Sequence, residues 1–218
     1  MTLAIDIYTE ITCPWCNIEL HRLDKVLNER FASLPVDIRH HPVMLMPDCP
    51  PEGLRIADLL RSRYGVTDPA QAWSRPHAEA RASGLDLDLA RQPFAYPTMR
   101  AHTLIRLASA RGTQHALAIA ITQAYFQDAR NIGDAEILAV IASNHGFTRN
   151  EAHRLALNSD EHAQTREKAA ASAAQGVTSV PHFVFGERLN IIGGRSEDEI
   201  AEAIRQTASS VKERPNAA

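Results

Sequence analysis

The chain is poor in cysteine, with three in 218 residues. Three thiols cannot all pair with one another, and so sparse a set excludes the stapled framework of a small disulfide-rich domain. Charge of one sign is not in excess either: 23 Lys and Arg stand against 26 Asp and Glu, spread along the chain, for a formal net charge of -3. That balance excludes a basic face for nucleic acid or an anionic membrane, so neither partner is expected. No apolar run approaches the ~20 residues of a membrane span. The start Met1-Thr2-Leu3-Ala4-Ile5-Asp6 has neither a basic n-region nor a long apolar h-region. A soluble, cytoplasmic protein is the expectation. No internal repeat is present, and 24.0 kDa suits one compact unit with an inserted subdomain.

Two of the three cysteines stand together in Cys13-Pro14-Trp15-Cys16. Before them Leu3, Ile5 and Ile7 alternate with Ala4, Asp6 and Tyr8, which predicts a strand. Behind them Leu20, Leu23, Val26, Leu27 and Phe31 keep helical spacing, with Glu19, Arg22, Asp24 and Lys25 filling the opposite face. Cys13 therefore falls at a helix N-terminus, where unpaired N–H groups and the positive end of the helix dipole favour a thiolate. Cys16 falls one turn later on the same face, within reach of the first sulfur. Cys13 is the natural attacker on a disulfide and Cys16 the resolver. Pro14 brings no N–H that needs a partner in the first turn, and Trp15 offers apolar surface beside the sulfur. The competing reading is half of a zinc site. It would need two further ligands; there is no second C-x-x-C, and His40, His41 and Cys49 are candidates only by proximity in sequence. The strand–helix setting favours redox chemistry without a metal.

Val36 to His40 alternates again and leads into the apolar Val43-Met44-Leu45-Met46, completing a β-α-β unit with a right-handed crossover. A proline-rich loop follows, with Pro47, Pro50, Pro51 and Gly53, and Leu54 to Asn158 shows no strand pattern. Asp68-Pro69, Asp134 and Thr148-Arg149-Asn150-Glu151 each mark a helix start. Residues 161–175 predict one long helix. Phe183-Val184-Phe185 and Leu189-Asn190-Ile191-Ile192 predict a hairpin, and Ser196-Glu197-Asp198-Glu199 caps a last helix. The expected division is an N-terminal β-α-β part over 1–50, a helical insertion over 51–160, a C-terminal part over 161–211 and a polar tail over 212–218.

This order, β-α-β, all-helical insertion, β-β-α, resembles the thioredoxin fold as elaborated in the DsbA family, and in particular its FrnE-like branch. Three places carry the resemblance: Cys13-Pro14-Trp15-Cys16; Gly176-Val177-Thr178-Ser179-Val180-Pro181-His182-Phe183; and Tyr96-Pro97-Thr98 with Ala101-His102. By itself an X-Pro bond reads as trans. The resemblance implies that Val180-Pro181 is cis and that the Val180 backbone pairs with an extended substrate. The sequence departs from the family's pattern at Asn17-Ile18-Glu19, where Tyr-x-Gly is common, and at Ser179, where Gly is frequent. No histidine stands between the cysteines, which predicts a less oxidising poise than that of DsbA.

The expected activity is thiol–disulfide exchange with a disulfide- or thiol-containing protein or small molecule. No bound cofactor beyond the Cys13–Cys16 pair is expected; glutathione is a candidate co-substrate, and glutathione or a thioredoxin-type protein a candidate recycling partner. The alternative is a glutathione-dependent isomerase or transferase, similar to 2-hydroxychromene-2-carboxylate isomerase and kappa-class glutathione transferases. Those enzymes usually carry Ser where Cys13 stands. Glu10 is a candidate proton acceptor for the resolving thiol, against a solvated carboxylate at a strand end. His182 is a candidate tuner of the thiolate, against a solvent-facing ring. His102 reads as a helix-packing residue, Trp73, Phe94, Tyr96 and Met99 as core or substrate surface, and Cys49 as a bystander thiol.

Overall fold

The computed structural model describes residues 2–212 of the chain. Strand β1 (Leu3–Thr9) buries Leu3, Ile5 and Ile7 and leaves Ala4 and Asp6 half-buried, as the alternation requires. Helix α1 (Pro14–Arg30) follows, with Cys13 as its N-cap and Pro14 at the first turn. Strand β2 (Val36–Pro42) returns parallel to β1, from Leu3 opposite Val36 to Thr9 opposite Pro42. The ladder stops there, although Val43 N still donates to Thr9 O at 3.1 Å.

Between this unit and the C-terminal hairpin lie β3 (Leu54–Arg55), α2 (Ile56–Tyr64), α3 (Pro69–Ala82), β4 (Phe94–Ala95), α4 (Met99–Ala108), α5 (Gln114–Phe126), α6 (Ala135–Ala142), α7 (Arg149–Ala156) and α8 (Ser159–Ala174). The predicted starts hold. The Asp68 side chain accepts from Ala70 N, that of Asp134 from Glu136 N, and Thr148 with Glu151 forms a reciprocal capping box. Strands β3 and β4, which the sequence does not announce, pair antiparallel over two residues each. Two residues are too few for an alternation to register.

Strands β5 (His182–Phe185) and β6 (Leu189–Ile192) form the expected hairpin, and α9 (Glu197–Lys212) closes the described chain. Gly186 and Glu187 both take positive φ, which brings Arg188 N to 3.1 Å from Phe185 O and closes the turn. The sheet order is β2-β1-β5-β6, with β5 antiparallel to β1 and Tyr8 opposite His182. Lys212 is the last residue of α9; the rest of the tail expected over 212–218 lies outside the described residues.

Two apolar cores result. One packs Leu3, Ile5, Ile7, Phe183 and Phe185 of the sheet against Leu20, Leu23 and Val26 of α1 and Ile200 and Ile204 of α9. The other is helical, built on residues such as Leu104, Leu117, Ile121, Tyr125 and Leu138, and it also takes in Ile11 and Ile18. The segment that carries the cysteines thus lies on the seam between them.

One expectation for α1 fails. Glu19 and Arg22 are 1% and 5% exposed rather than solvated. Arg22 reaches Glu19 Oε1 at 3.1 Å, Ser83 Oγ at 2.7 Å, Glu79 Oε2 at 2.6 Å and Arg195 O at 2.6 Å, so the inserted α3 covers a face that would otherwise meet water. A helix periodicity cannot announce a cover contributed by an insertion about sixty residues away.

Candidate functional site

Cys13 has extended backbone angles (φ -84°, ψ 117°), while its N–H donates to Glu10 O at 3.1 Å and its carbonyl accepts from Asn17 N at 3.2 Å. The Cys13 residue is partly exposed and Cys16 is 1% exposed; both are free. The Cys16 thiol hydrogen-bonds the Cys13 sulfur, and with the N–H groups of Cys16 and Trp15 this holds the Cys13 pKa below that of an ordinary thiol, against burial and the charge of Glu10. Burial pushes the Cys16 thiol well up, and the Cys13 interaction pushes it the same way. The less buried cysteine therefore carries the more acidic thiol, and the fully buried one the less acidic.

Trp15 is half-buried, with the Arg75 guanidinium 5.0 Å above its ring and the Gly194 backbone against its six-membered ring. Beside Cys13, Pro14 and Trp15 opens a mainly apolar groove of about 500 Å³, walled by Leu45, Leu59, Leu60, Tyr64, Trp73 and Phe126 among others. Trp73 alone of the four residues read as core or substrate surface lines it. Phe94 stacks on Tyr96 at 6.0 Å, under Arg55, and Met99 begins α4.

The Val180–Pro181 bond is cis. Because Tyr8 pairs antiparallel with His182, the register carries Pro181 level with Thr9, the end of β1, and Val180 past it, toward the turn that holds Cys13. Val180 is half-buried and Ser179 exposed. The Pro181 carbonyl is taken by Gly193 N at 2.9 Å. His182 does not face solvent: it is 7% exposed, bonded through Nε2 to Asn190 Oδ1 at 2.7 Å and tilted against the Tyr8 ring at 5.5 Å.

Glu10 is not a solvated strand-end carboxylate. It is 1% exposed and accepts from Leu45 N at 3.1 Å and Thr98 Oγ1 at 3.2 Å. Its negative charge raises the pKa of both active-site thiols, which places it electrostatically beneath the pair. His102, buried on α4, brings Nε2 to 3.5 Å from Glu10 Oε1. The Thr98–His102 segment is visible in the sequence as a motif; its partnership with Glu10 is not, because it spans 88 residues of chain. Cys49 is buried, with its thiol directed to Ala95 O at 3.5 Å, and burial raises its pKa. Among the described residues, no group of three or more His, Cys, Asp or Glu side chains is arranged to hold a metal ion.

A family model for the DSBA-like thioredoxin domain matches residues 4–205. The Bacillus subtilis (strain 168) protein YwbO is 24% identical over 212 residues, covering 94% of this chain and 96% of its own. A probable DsbA oxidoreductase from Streptomyces coelicolor is similar in structure with a TM-score of 0.85 at 25% identity, over 99% of this chain and 93% of that one. The same fold recurs at 14% identity in a 2-hydroxychromene-2-carboxylate isomerase (TM-score 0.73; 98% of this chain, 100% of that one). It recurs again at 15% in the cytosolic disulfide reductase DsbM from Pseudomonas aeruginosa, solved with GSH (TM-score 0.63; 96% and 98%).

Proposed function

The chain belongs to the family of DSBA-like thioredoxin domains, and we propose that it is a cytoplasmic thiol–disulfide oxidoreductase of the FrnE-like branch, working through Cys13 and Cys16. The observation that carries this reading is the asymmetry of the pair: a lowered pKa at the partly exposed residue Cys13 and a raised one at the fully buried Cys16. A lone nucleophile would not need the second thiol; an exchange cycle uses both.

In the reducing direction the Cys13 thiolate attacks a substrate disulfide, forming a mixed disulfide and releasing the first substrate thiolate. Cys16 Sγ then bonds to Cys13 Sγ, the Cys13–substrate bond breaks, and the second thiolate leaves. The protein dithiol loses two electrons and the substrate disulfide gains them. Glu10, the buried carboxylate whose charge acts on Cys16, accepts the Cys16 proton as it attacks. The cis Val180–Pro181 segment is suited to align an extended substrate, with Pro14, Trp15 and the groove taking its apolar side chains. His182, tied to Asn190, acts in this scheme on strand geometry and not on the thiolate. With no histidine between the cysteines and no cation among the groups that set the Cys13 pKa, the poise is less oxidising than that of DsbA. The structure of DsbM with GSH supports glutathione as co-substrate or recycling thiol; a thioredoxin-type protein could serve instead.

The likeness to 2-hydroxychromene-2-carboxylate isomerase favours a second reading, glutathione-dependent isomerisation or transfer at Cys13. A dithiol titration with an insulin-reduction assay on wild type and Cys16→Ser separates the two. The oxidoreductase forms a Cys13–Cys16 disulfide and reduces insulin, and Cys16→Ser stalls as a mixed disulfide. Activity toward a small electrophile with glutathione that survives Cys16→Ser, with no disulfide in wild type, overturns it.

A further inference from the structure

Beside Cys16, on residues that do not line the groove, lies a narrow cavity with about 10 Å³ of room for a water molecule. Its walls include Cys16, Glu10, His102, His40, Arg106 and Thr122. Four of these, Cys16, Glu10, His102 and His40, are titratable and at most 8% exposed. His102 Nε2 is buried 3.5 Å from Glu10 Oε1 without a well-formed hydrogen bond, a costly state for a ring nitrogen unless something in the cavity satisfies it.

From the far wall a chain of side chains leads outward. His40 on β2 meets His115 of α5, Nε2 to Nδ1, at 2.8 Å, with the rings stacked at 5.1 Å. His115 Nε2 meets Asp24 Oδ1 of α1 at 2.7 Å. The His115 and Asp24 side chains are 23% and 33% exposed, so the chain ends in solvent. Its inner end is held firmly. His40 N donates to Gln114 Oε1 at 3.1 Å, and Gln114 Nε2 donates back to His40 O at 3.2 Å, fixing β2 against α5 at this residue.

We propose that this cavity and the His40–His115–Asp24 chain form a proton exit that serves the resolving cysteine. The inference rests on the oxidoreductase reading and extends it: Glu10 relays the Cys16 proton, and the resolving step completes as that proton moves on from the buried carboxylate. The proton passes from Glu10 to His102 or a cavity water, then to His40. His40 hands a proton from Nε2 to His115 Nδ1 as His115 releases one from Nε2 to Asp24 and bulk water. Each ring gains one proton and loses one, so no charge accumulates. Burial and the neighbouring His115, His41 and His102 rings keep His40 neutral at rest, which suits a carrier that is protonated only in passing. The other polar side chains with ionisable groups at the cavity are Arg106, held by Glu161 of α8, and His41, bonded to Asp6 at 2.7 Å.

Ellman's reagent tests the exit on the intact chain. Attack by Cys13 releases one nitrothiobenzoate and resolution by Cys16 releases the second, so the two steps appear as separate phases. In His115→Ala the first phase is unchanged, and the second slows about 10-fold over roughly pH 5 to 8 and is restored by added imidazole. His115→Gln keeps hydrogen bonds to both neighbours without carrying a proton, and slows the second phase in the same way. A second phase unchanged in both variants, or slowed in His115→Ala with no response to imidazole or buffer concentration, overturns the exit while leaving the oxidoreductase reading intact. A wild type with no second phase overturns that reading itself.

Discussion

A methyl group on Gly194 would lie 2.9 Å from Cε3 of Trp15. The loop after β6 is therefore in contact with the indole beside the attacking sulfur, and it is held there by Glu19, whose Oε1 accepts from Arg195 N at 2.8 Å. Gly194→Ala must displace either the indole or the loop. The expected cost is about 1–3 kcal/mol of stability, that of overpacking a tight contact. Urea unfolding measures it, and a shift of tryptophan emission reports whether Trp15 has moved.

Removing the buried thiol should act on its partner. Cys16→Ala deletes the hydrogen bond that leads the lowering of the Cys13 pKa, so that pKa rises toward that of an ordinary thiol. Cys16→Ser keeps a donor and should shift it less. Ultraviolet absorbance of the thiolate against pH reads both values, and equal shifts in the two variants would contradict the assigned donor.

Glu19 gives a dependence on pH with a definite sign. Burial, opposed by Arg195 N and Arg22, lifts its pKa from 4.5 to about 7. The folded state therefore holds a proton that the unfolded chain has already released, and stability falls as pH rises from about 4.5 to about 7. The full loss is about 3 kcal/mol by linkage. Glu19→Gln keeps an acceptor for Arg195 N without the titration. Subtracting its urea-unfolding profile from that of wild type should leave the descending slope, and a flat difference would refute the assignment.

The groove makes a separate prediction. Leu60, half-buried in its wall, contributes apolar surface and no group of the reaction. Leu60→Asp should raise KM for a disulfide-bonded apolar peptide about 10-fold, equivalent to about 1.4 kcal/mol of lost apolar contact, with the Cys13 alkylation rate unchanged. Insulin reduction at varied substrate, with iodoacetamide trapping alongside, distinguishes docking from chemistry.

The thioredoxin scaffold is legible in the sequence because its signals are local. The alternation of Leu3, Ile5 and Ile7, the cysteines at a helix start, and the capping residues Asp68, Asp134 and Thr148 each act over a few positions. Pro181 required a family resemblance, because cis geometry leaves no mark in composition or periodicity. Glu19 and Arg22 read as the polar face of a helix, and Glu10 stays open between proton acceptor and solvated carboxylate, because their partners, Arg195, Glu79 and Thr98, are supplied by distant segments. The His40–His115–Asp24 chain was hidden for the same reason, with one residue each on β2, α5 and α1.

Ile11 and Ile18 belong to the helical core, whereas Leu20 and Leu23 on the same stretch of chain belong to the sheet core. The insertion therefore cannot be excised as a cassette: deleting it would strip two isoleucines bare on either side of the dithiol. Calorimetry should record one transition instead of two, and a substitution in the distant helical bundle that lowers the melting temperature should also increase the accessibility of Cys16 to alkylation.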